Sequence, residues 1–334
     1  MKKIFLILAA VVLSSLAFAK PYGEKSRPDS VGDIVFADGT ATAWREGLTL
    51  TEEQKKAAVA VIFYVGTECS NDSASRTLGV GLKNTGTDST LQWAISNAAG
   101  YSTNITAIQC TPSESGDGKA ATATFTGDLD GSDNWQALCE AVSDEGTSGN
   151  YPAWEWVNAY ATTANLTGDY ASGWYLPTVA ELSMLYRVKA TVNAALKAAG
   201  GTEIADTGYW SSSQGSSDDY SAWSVWFDFG FLSNFNENTY DISVCGVRAF
   251  NGEEKTMTVK ENLKLRSGGA TSTQVLAVMS AGAKVRILEL GKAETIDGIP
   301  SNWVKVEVQQ GAKDRDGKAI KGGTVGWCFG GYLE

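Results

Sequence analysis

The sequence predicts an α+β protein in which twisted antiparallel sheets pack against two or more helices, followed by a small C-terminal β-barrel. Strand-type runs such as residues 58–65 alternate along the chain with helical segments. Two helices begin with capping-box patterns, Thr51-Glu52-Glu53-Gln54 and Thr178-Val179-Ala180-Glu181. From Lys255 the composition changes to short alternating strands separated by Gly and Asn turns. With 334 residues, two domains are expected.

Residues 1–19 have the three parts of a signal peptide. Lys2 and Lys3 precede an apolar run over residues 4–13, and Ala17-Phe18-Ala19 is typical of a cleavage site. The apolar run is too short to span a bilayer, and no later run is longer. We therefore expect an exported protein that does not span the membrane and is periplasmic, displayed on the cell surface or secreted, with residues 20–30 as a linker.

The charge and the absence of histidine exclude several classes of function. The formal net charge of −11 becomes −13 once Lys2 and Lys3 are removed with the leader. Such acidity argues against nucleic acid or an anionic membrane as the partner. With no histidine in the chain, neither a Ser-His-Asp set nor the commonest zinc ligand is present. We expect no enzyme, no cofactor and no metal.

Five cysteines occur in a chain that is predicted to be exported, where disulfides can form. None lies in a Cys-x-x-Cys pair, and the four in the first domain allow three pairings that the sequence does not resolve. Free buried thiols or a single bridge are the preferred interpretation. The cysteines are Cys69, Cys110, Cys139, Cys245 and Cys328.

The first half of the chain is predicted to consist mainly of strands. The predicted strands are residues 31–36, 58–65, 78–82 and 91–94, with a short helix that starts at Thr51. Residues 111–131 are rich in Ser, Gly, Asp and Thr and are expected to be a surface insertion. Asp128, Asp130 and Asp133 resemble part of an EF-hand calcium loop. The closing glutamate of such a loop falls on Cys139, so we interpret these residues as solvated acids.

Helices are predicted in the middle of the chain. Asp133 can cap a helix that runs to Val142, and Pro152 suits the first turn of a helix over residues 153–161. The third helix begins at Thr178, carries an apolar stripe at Leu182 and Leu185, and is expected to end at Gly200-Gly201.

The stretch over residues 209–250 is the candidate binding surface. Val225 and Phe227 alternate with Ser224, Trp226 and Asp228, which is the period of a half-buried strand. If Val225 and Phe227 face the core, Trp226 faces water beside small polar residues, as in surfaces that bind by rigid aromatic area. The alternative is that the following loop covers Trp226.

Three strings in this stretch resemble a known fold. Tyr-Trp-Ser-Ser at residue 209, Ala-Trp-x-Val-x-Phe at 222 and Val-x-x-Val-Arg-Ala-Phe at 244 are similar to the formylglycine-generating-enzyme type of C-type lectin fold. The Trp-x-Leu-Pro-Thr-x-x-Glu-Leu string at residue 174 is similar to the same family. The similarity is especially close to the variable proteins of diversity-generating retroelements, those of treponemes above all. It implies a C-type lectin-like domain over residues 31–251.

This resemblance implies a ligand-binding scaffold with mutable surface positions, and a protein or other macromolecule of variable identity as ligand. The corresponding residues are Ser217, Asp218, Asp219, Tyr220, Ser224, Trp226, Asp228, Phe229, Phe231, Leu232, Asn234, Asn236, Asn238, Tyr240 and Asp241.

The last part of the chain resembles bacterial SH3 domains. Asn-Leu-x-Leu-Arg-Ser-Gly at residue 262, Trp-Val-Lys-Val at 303 and Gly-Trp-Cys-x-x-x-Tyr-Leu at 326 carry the similarity. It implies an SH3-like domain over residues 255–334, whose partners would be cell-wall peptides or other proteins. Trp303, Trp327 and Tyr332 are candidates to line a groove, although Trp303 also suits the core.

Three alternatives to a diversified binding protein were considered. A fixed adhesin or cell-wall-associated protein could use the SH3-like domain. The enzymes of the resembled family oxidise a client cysteine with a cysteine pair and copper, but Cys245 has no partner cysteine within a few residues. Calcium-dependent sugar binding is not expected, because the Glu-Pro-Asn, Gln-Pro-Asp and Trp-Asn-Asp strings are absent.

Overall fold

The computed structural model describes residues 21–142, 149–215, 221–236, 241–250 and 256–334. These residues belong to two units, one within Pro21–Gly252 and the other within Glu253–Glu334. Both are built mainly of β-strands, and the described helices all lie in the first unit apart from a short 3₁₀ turn, Gly330–Tyr332.

The first unit contains strands β1 to β11 and helices α1 to α6. The strands are β1 Asp33–Phe36, β2 Ala41–Ala43, β3 Ala58–Gly66, β4 Arg76–Asn84, β5 Cys110–Pro112, β6 Phe125–Gly127, β7 Trp174–Tyr175, β8 Gly208–Gln214, β9 Ser221–Trp226, β10 Phe231–Asn236 and β11 Cys245–Ala249. The helices are α1 Glu52–Ala57, α2 Asn134–Ala141, α3 Pro152–Asn158, α4 Tyr160–Thr163, α5 Val179–Arg187 and α6 Lys189–Ala199.

The main sheet of this unit has six antiparallel strands in the order β2-β1-β3-β4-β11-β7. Successive side chains of β3 point to opposite faces, so Val61 and Phe63 join one buried cluster while Ile62 joins another. Helices α5 and α6 lie in the first cluster, which we call the helix-side core. The second is rich in tryptophan and tyrosine, and we call it the aromatic core. Burial on both faces explains why β3 reads as a continuous apolar run.

A second sheet has three strands in the order β10-β9-β8. Val225 of β9 is paired with Leu232 of β10 and Tyr209 of β8, and all three belong to the helix-side core. Ala222 of β9 and Trp210 of β8 belong to the aromatic core. This sheet is therefore also covered on both faces.

Both predicted capping boxes are confirmed. Thr51 and Gln54 cap α1, and Thr178 and Glu181 cap α5, each with the side chain of one residue accepting from the backbone of the other. The third predicted helix is two helices. Val188 has a φ of −116° and a ψ of 12° and separates α5 from α6, which ends at Gly200 in the left-handed conformation.

Two predictions about the first unit are wrong. Residues 91–94 form no strand; Leu91 makes only an isolated bridge to Ile242. The side chain of Asp133 does not cap α2. Residues 111–131 lie mostly at the surface, as predicted, but Ala120 and Ala123 are buried against the helix-side core.

The second unit is a six-stranded antiparallel sheet in the order β12-β15-β16-β17-β13-β14 around its own apolar core. Short strands separated by turns are present, as predicted, but β15 and β16 are long and form a hairpin. Its turn is Asp297-Gly298, where both residues have positive φ, as a type I′ turn requires. The strands are β12 Thr256–Thr258, β13 Leu263–Arg266, β14 Val275–Met279, β15 Lys284–Ile296, β16 Ile299–Val308 and β17 Val325–Phe329.

A buried ion pair connects the main sheet to α5. Nη1 of Arg76, on β4, lies 2.9 Å from Oε1 of Glu181. Nη2 lies 2.6 Å from Oδ1 of Asp130 and also donates to the Tyr175 hydroxyl. Burial raises the pKa of Glu181 to about 7 even though Arg76 opposes the shift. The other carboxylate oxygen of Glu181 accepts the backbone N–H of Thr178, so the residue that caps α5 also anchors it to β4.

Replacing Arg76 by methionine is expected to lower the free energy of unfolding by about 3–5 kcal/mol, because it leaves the Glu181 carboxylate buried without its cation. Chemical denaturation of the purified protein measures the change.

The matched control is Lys55→Met, which removes a cation from an exposed pair with Glu52. Its cost is expected to stay below about 1 kcal/mol. Equal costs for the two variants would show that the Arg76 pair is not a structural anchor.

Candidate functional site

In the sequence, the predicted ligand-binding residues lie within and next to the hairpin formed by β9 and β10. Several of them lie outside the described residues: Ser217, Asp218, Asp219, Tyr220, Asn238 and Tyr240. Asn236 is described only as the last residue of β10, paired with Ser221. The remaining eight can be placed.

Two predicted surface residues are buried, which corrects the prediction. Ser224 is 0% exposed and Leu232 is 1% exposed. Ser224 is paired with the buried Trp210, and its hydroxyl donates to the Ser233 carbonyl across the hairpin. Leu232 packs into the helix-side core beside Val225. Both are buried because the three-stranded sheet has a core on each face, which strand alternation alone does not reveal.

Trp226 is half-buried, between the two predicted alternatives. Its ring packs on the edge of the aromatic core and lies over Gly208 of the neighbouring strand. A Cβ at Gly208 would come within 2.8 Å of Trp226 Cε2, so the ring occupies the space that the missing side chain leaves. The indole is therefore partly covered by packing and only partly accessible.

The exposed part of the site is the turn between the two strands, residues 226–231, which we call the aromatic turn. Phe229 is 51% exposed, and its ring meets that of Phe231 edge to face with centroids 6.0 Å apart. Asp228 is exposed, and its carboxylate accepts the backbone N–H of Phe229 at 3.0 Å. Exposed phenylalanine on a turn offers apolar area at low entropic cost to a ligand.

Main-chain hydrogen bonds hold the aromatic turn in place. The backbone N–H groups of Gly118 and Ala120 donate to the carbonyls of Phe229 and Gly230. Gly116 and Leu232 exchange two backbone hydrogen bonds of 2.9 and 3.1 Å. These bonds do not depend on which side chains the turn carries.

Beneath the turn, Gly230 has a φ of +71° and lies against the ring of Tyr186 on α5, where a Cβ would come within 2.6 Å of Cζ. This support was not predicted from the sequence. The Asp228-Phe229-Gly230 turn was the available signal for Gly230. Tyr186 belongs to an apolar stripe of the predicted third helix, but no signal shows that it lies under the turn, and none points to residues 116–120.

The other placed residues lie on the flanks of the hairpin. Asn234 is paired with Trp223, and its side chain lies against Gly215. Within the described residues, Asn234 Oδ1 and Trp223 Nε1 are buried and have no hydrogen-bond partner. Asp241 is exposed directly before the bridge between Ile242 and Leu91.

Cys69, Cys110, Cys245 and Cys328 are free thiols, and Cys245 is buried in the helix-side core. Burial raises the pKa values of the Cys110, Cys245 and Cys328 thiols to about 12, and it also raises that of Cys69. A thiol with so high a pKa is a poor nucleophile at neutral pH.

The acidic cluster near residue 130 has structural partners. Asp128 accepts from the Asn71 amide, and Asp130 pairs with Arg76. Across the described ranges, no group of three or more Cys, Asp or Glu side chains is arranged to hold a metal ion.

The aromatic residues of the second unit divide between core and surface. Trp303 is buried, and its indole N–H donates to Glu294 at 2.6 Å. Trp327 is half-buried between Gly269 and Gly291, and the hydroxyl of the half-buried Tyr332 donates to Asp297. Within the part of the chain that the structure describes, no helix is long and apolar enough to cross a membrane.

Thiol labelling of the native protein at pH 8 is expected to modify Cys139 first, because it alone is partly exposed while burial keeps the other four protonated. Mass spectrometry of the alkylated peptides identifies the modified residue. Labelling after unfolding in denaturant is the control and should reach all five. Rapid alkylation of Cys245 in the native protein would contradict this assignment and revive a cysteine nucleophile.

Comparison with known proteins identifies one domain. Residues 261–334 match the model of the bacterial SH3 domain family. No curated protein matches the chain. A solved structure of a fimbrial protein from Bacteroides ovatus ATCC 8483 resembles it with a TM-score of 0.44 and 14% identity, covering 66% of this chain and 49% of that one. The chain thus spans about half the length of that protein. The mixed α/β chain therefore ends in a bacterial SH3 domain, as its C-terminal strings indicated.

Proposed function

We propose that the chain is an exported, non-enzymatic ligand-binding protein. Its first domain, residues 31–251, would be a C-type lectin-like scaffold with a surface diversified by a retroelement, and the bacterial SH3 domain would be an accessory module. The aromatic turn is the observation that carries this proposal, because it combines exposed aromatic side chains with main-chain support.

The support of the turn favours a surface whose side chains can change. Phe229 and Gly230 are held through their carbonyls, so substitution at Asp228, Phe229 or Phe231 leaves those hydrogen bonds in place. Ser224 and Leu232 differ, because their side chains fill the interior. We therefore restrict the proposed variable set, within the described residues, to the exposed and half-buried positions Trp226, Asp228, Phe229, Phe231, Asn234 and Asp241.

The ligand is proposed to be a protein or another macromolecule that contacts the aromatic turn. Phe229 and the accessible part of Trp226 would supply apolar area, and Asp228 would supply a hydrogen-bond acceptor. A non-enzymatic role is supported by the burial of Cys245, the residue nearest to the position of the catalytic cysteines in the resembled enzymes.

A fixed adhesin or cell-wall-associated protein is the second candidate, and the bacterial SH3 domain favours it. In that case the first domain would bind one constant ligand. A cell-wall peptide or another protein would be the partner of the SH3 domain.

Phe229→Ser is expected to change the free energy of unfolding by less than about 0.5 kcal/mol, because the side chain is exposed. Leu232→Ala, its matched comparison on the same hairpin, is expected to cost about 2–5 kcal/mol through the cavity that it leaves. Thermal and chemical unfolding of both variants measure the contrast. Similar costs would show that the turn is part of the core.

Sequencing this locus from many cells of one culture tests the diversification. We expect substitutions at adenine-containing codons between residues 216 and 241, with a template repeat nearby, and none at Ser224 and Leu232. A repeat with substitutions spread equally over the buried codons would contradict the restricted set. An invariant locus without a template would leave the fixed binding protein.

A further inference from the structure

Strand β14, Val275–Met279, lies at one end of the strand order of the SH3 domain. One side of it pairs with β13. On its other side, the C-terminal half is covered by residues 313–315, since Met279 forms a bridge with Asp314 and the Arg315 N–H donates to the Val278 carbonyl. Among the described residues, no bridge pairs residues 275–277 on that side. The N-terminal half of β14 is thus an open sheet edge.

This open edge is apolar. Val275 is 40% exposed and Leu276 is 47% exposed, and a register shift opposite Arg266 leaves Leu276 as an extra residue in the strand. Sheet edges that face water are normally protected by charged residues or proline on the edge strand itself. The sequence Val-Leu-Ala-Val-Met contains neither, so β14 has the composition of a strand that receives a partner.

The surroundings of the edge are cationic. Arg266 is opposite Val275 and Lys264 is opposite Val278, while Arg315 adjoins Val278 through its backbone. Neither β13 nor β14 contains a carboxylate. Two carboxylates lie nearby: Asp314 accepts the N–H groups of Asp316 and Lys318, and Asp316 lies 3.7 Å from Nε of the exposed Arg315. The domain as a whole, residues 256–334, has eleven Lys and Arg against eight Asp and Glu.

The charge distribution selects the occupant. A second copy of the chain paired edge to edge would bring two cationic edges together, and like charges across an interface are unfavourable. A segment with acidic side chains would meet opposite charges at the same positions. Apolar residues alternating with the acids would cover Val275 and Leu276.

We propose that the open edge of β14 binds an extended segment of another protein in which acidic and apolar residues alternate. The segment adds as a strand beside residues 275–277, with its carboxylates facing Lys264, Arg266 and Arg315. This site lies in the SH3 domain and does not depend on the diversification of the first domain.

The probe is a fluorescein-labelled synthetic peptide of alternating glutamate and valine, and fluorescence polarisation measures its binding to the chain from residue 20 to 334. The native protein is expected to bind it, with an affinity that falls as salt is added. The double variant Lys264→Glu/Arg315→Glu is expected to bind at least about tenfold more weakly, because two attractions become repulsions. Both side chains are exposed, so the variant should keep the native melting temperature.

Lys292→Glu is the matched control. It reverses one charge, half the change of the double variant, at an exposed lysine on β15, which β16, β17 and β13 separate from β14 in the strand order. Its affinity for the peptide is expected to be unchanged, and Leu276→Glu is expected to abolish binding without altering the melting temperature.

The proposal is wrong if the native protein does not bind the peptide, or if the Lys292 variant loses as much affinity for it as the double variant. It is also wrong if a peptide whose edge amides are N-methylated binds equally well, or if soluble cell-wall peptide fragments bind saturably at β14 in place of the acidic peptide. Dimerisation that disappears in Leu276→Glu would also overturn it, by showing that a second copy occupies the edge.

Discussion

The buried Arg76–Glu181 pair is the contact on which the geometry of the binding surface depends. Glu181 caps α5 and anchors its first turn to β4. At the other end of α5, Tyr186 lies under Gly230, and Arg187 donates to the carbonyls of Ala120 and Ala123. Residues 116–120 in turn bond to β10. Contacts thus connect the interior ion pair continuously to the aromatic turn. Through them, α5 sets the position of the main chain of the turn.

The same arrangement explains why replacing an exposed side chain on this hairpin changes the free energy of unfolding only slightly. The sheet β10-β9-β8 is covered on both faces, so its stability comes from buried residues such as Val225, Leu232 and Phe227 and not from the exposed Asp228 and Phe229 of the turn. The turn itself is closed by main-chain groups on both sides. A position that contributes little packing energy can change its residue with little effect on folding. Rigid backbone and replaceable side chains are what a site for varied ligands requires.

Local signals in the sequence predicted the local structure well. The capping boxes at Thr51 and Thr178, the buried run of β3 and the inward Val225 and Phe227 are all present, because each rests on interactions within a few residues. The predictions that were wrong depended on contacts between residues that lie far apart in the sequence. Strand alternation placed Ser224 at the surface and the family resemblance placed Leu232 there, yet both are buried because the sheet has a core on each face. Residues 111–131 have the composition of a loop. Their position beside β10 is shown by backbone hydrogen bonds such as those between Gly116 and Leu232, which the sequence does not reveal. The SH3 domain was recognised from its strings, whereas the exposure of Val275 and Leu276 required the strand order.

The two proposed surfaces would recognise ligands by different physical means. At the aromatic turn the main chain is already satisfied by residues 116–120, so a ligand can be selected only by side chains, and its identity changes when they change. At residues 275–277 of β14 the backbone edge is open, so a partner can be held by main-chain hydrogen bonds, which are insensitive to substitution. The first kind of site suits a variable partner and the second a constant one. A chain with both could keep one fixed attachment while its other ligand varies, and this division requires no signal to pass between the two domains.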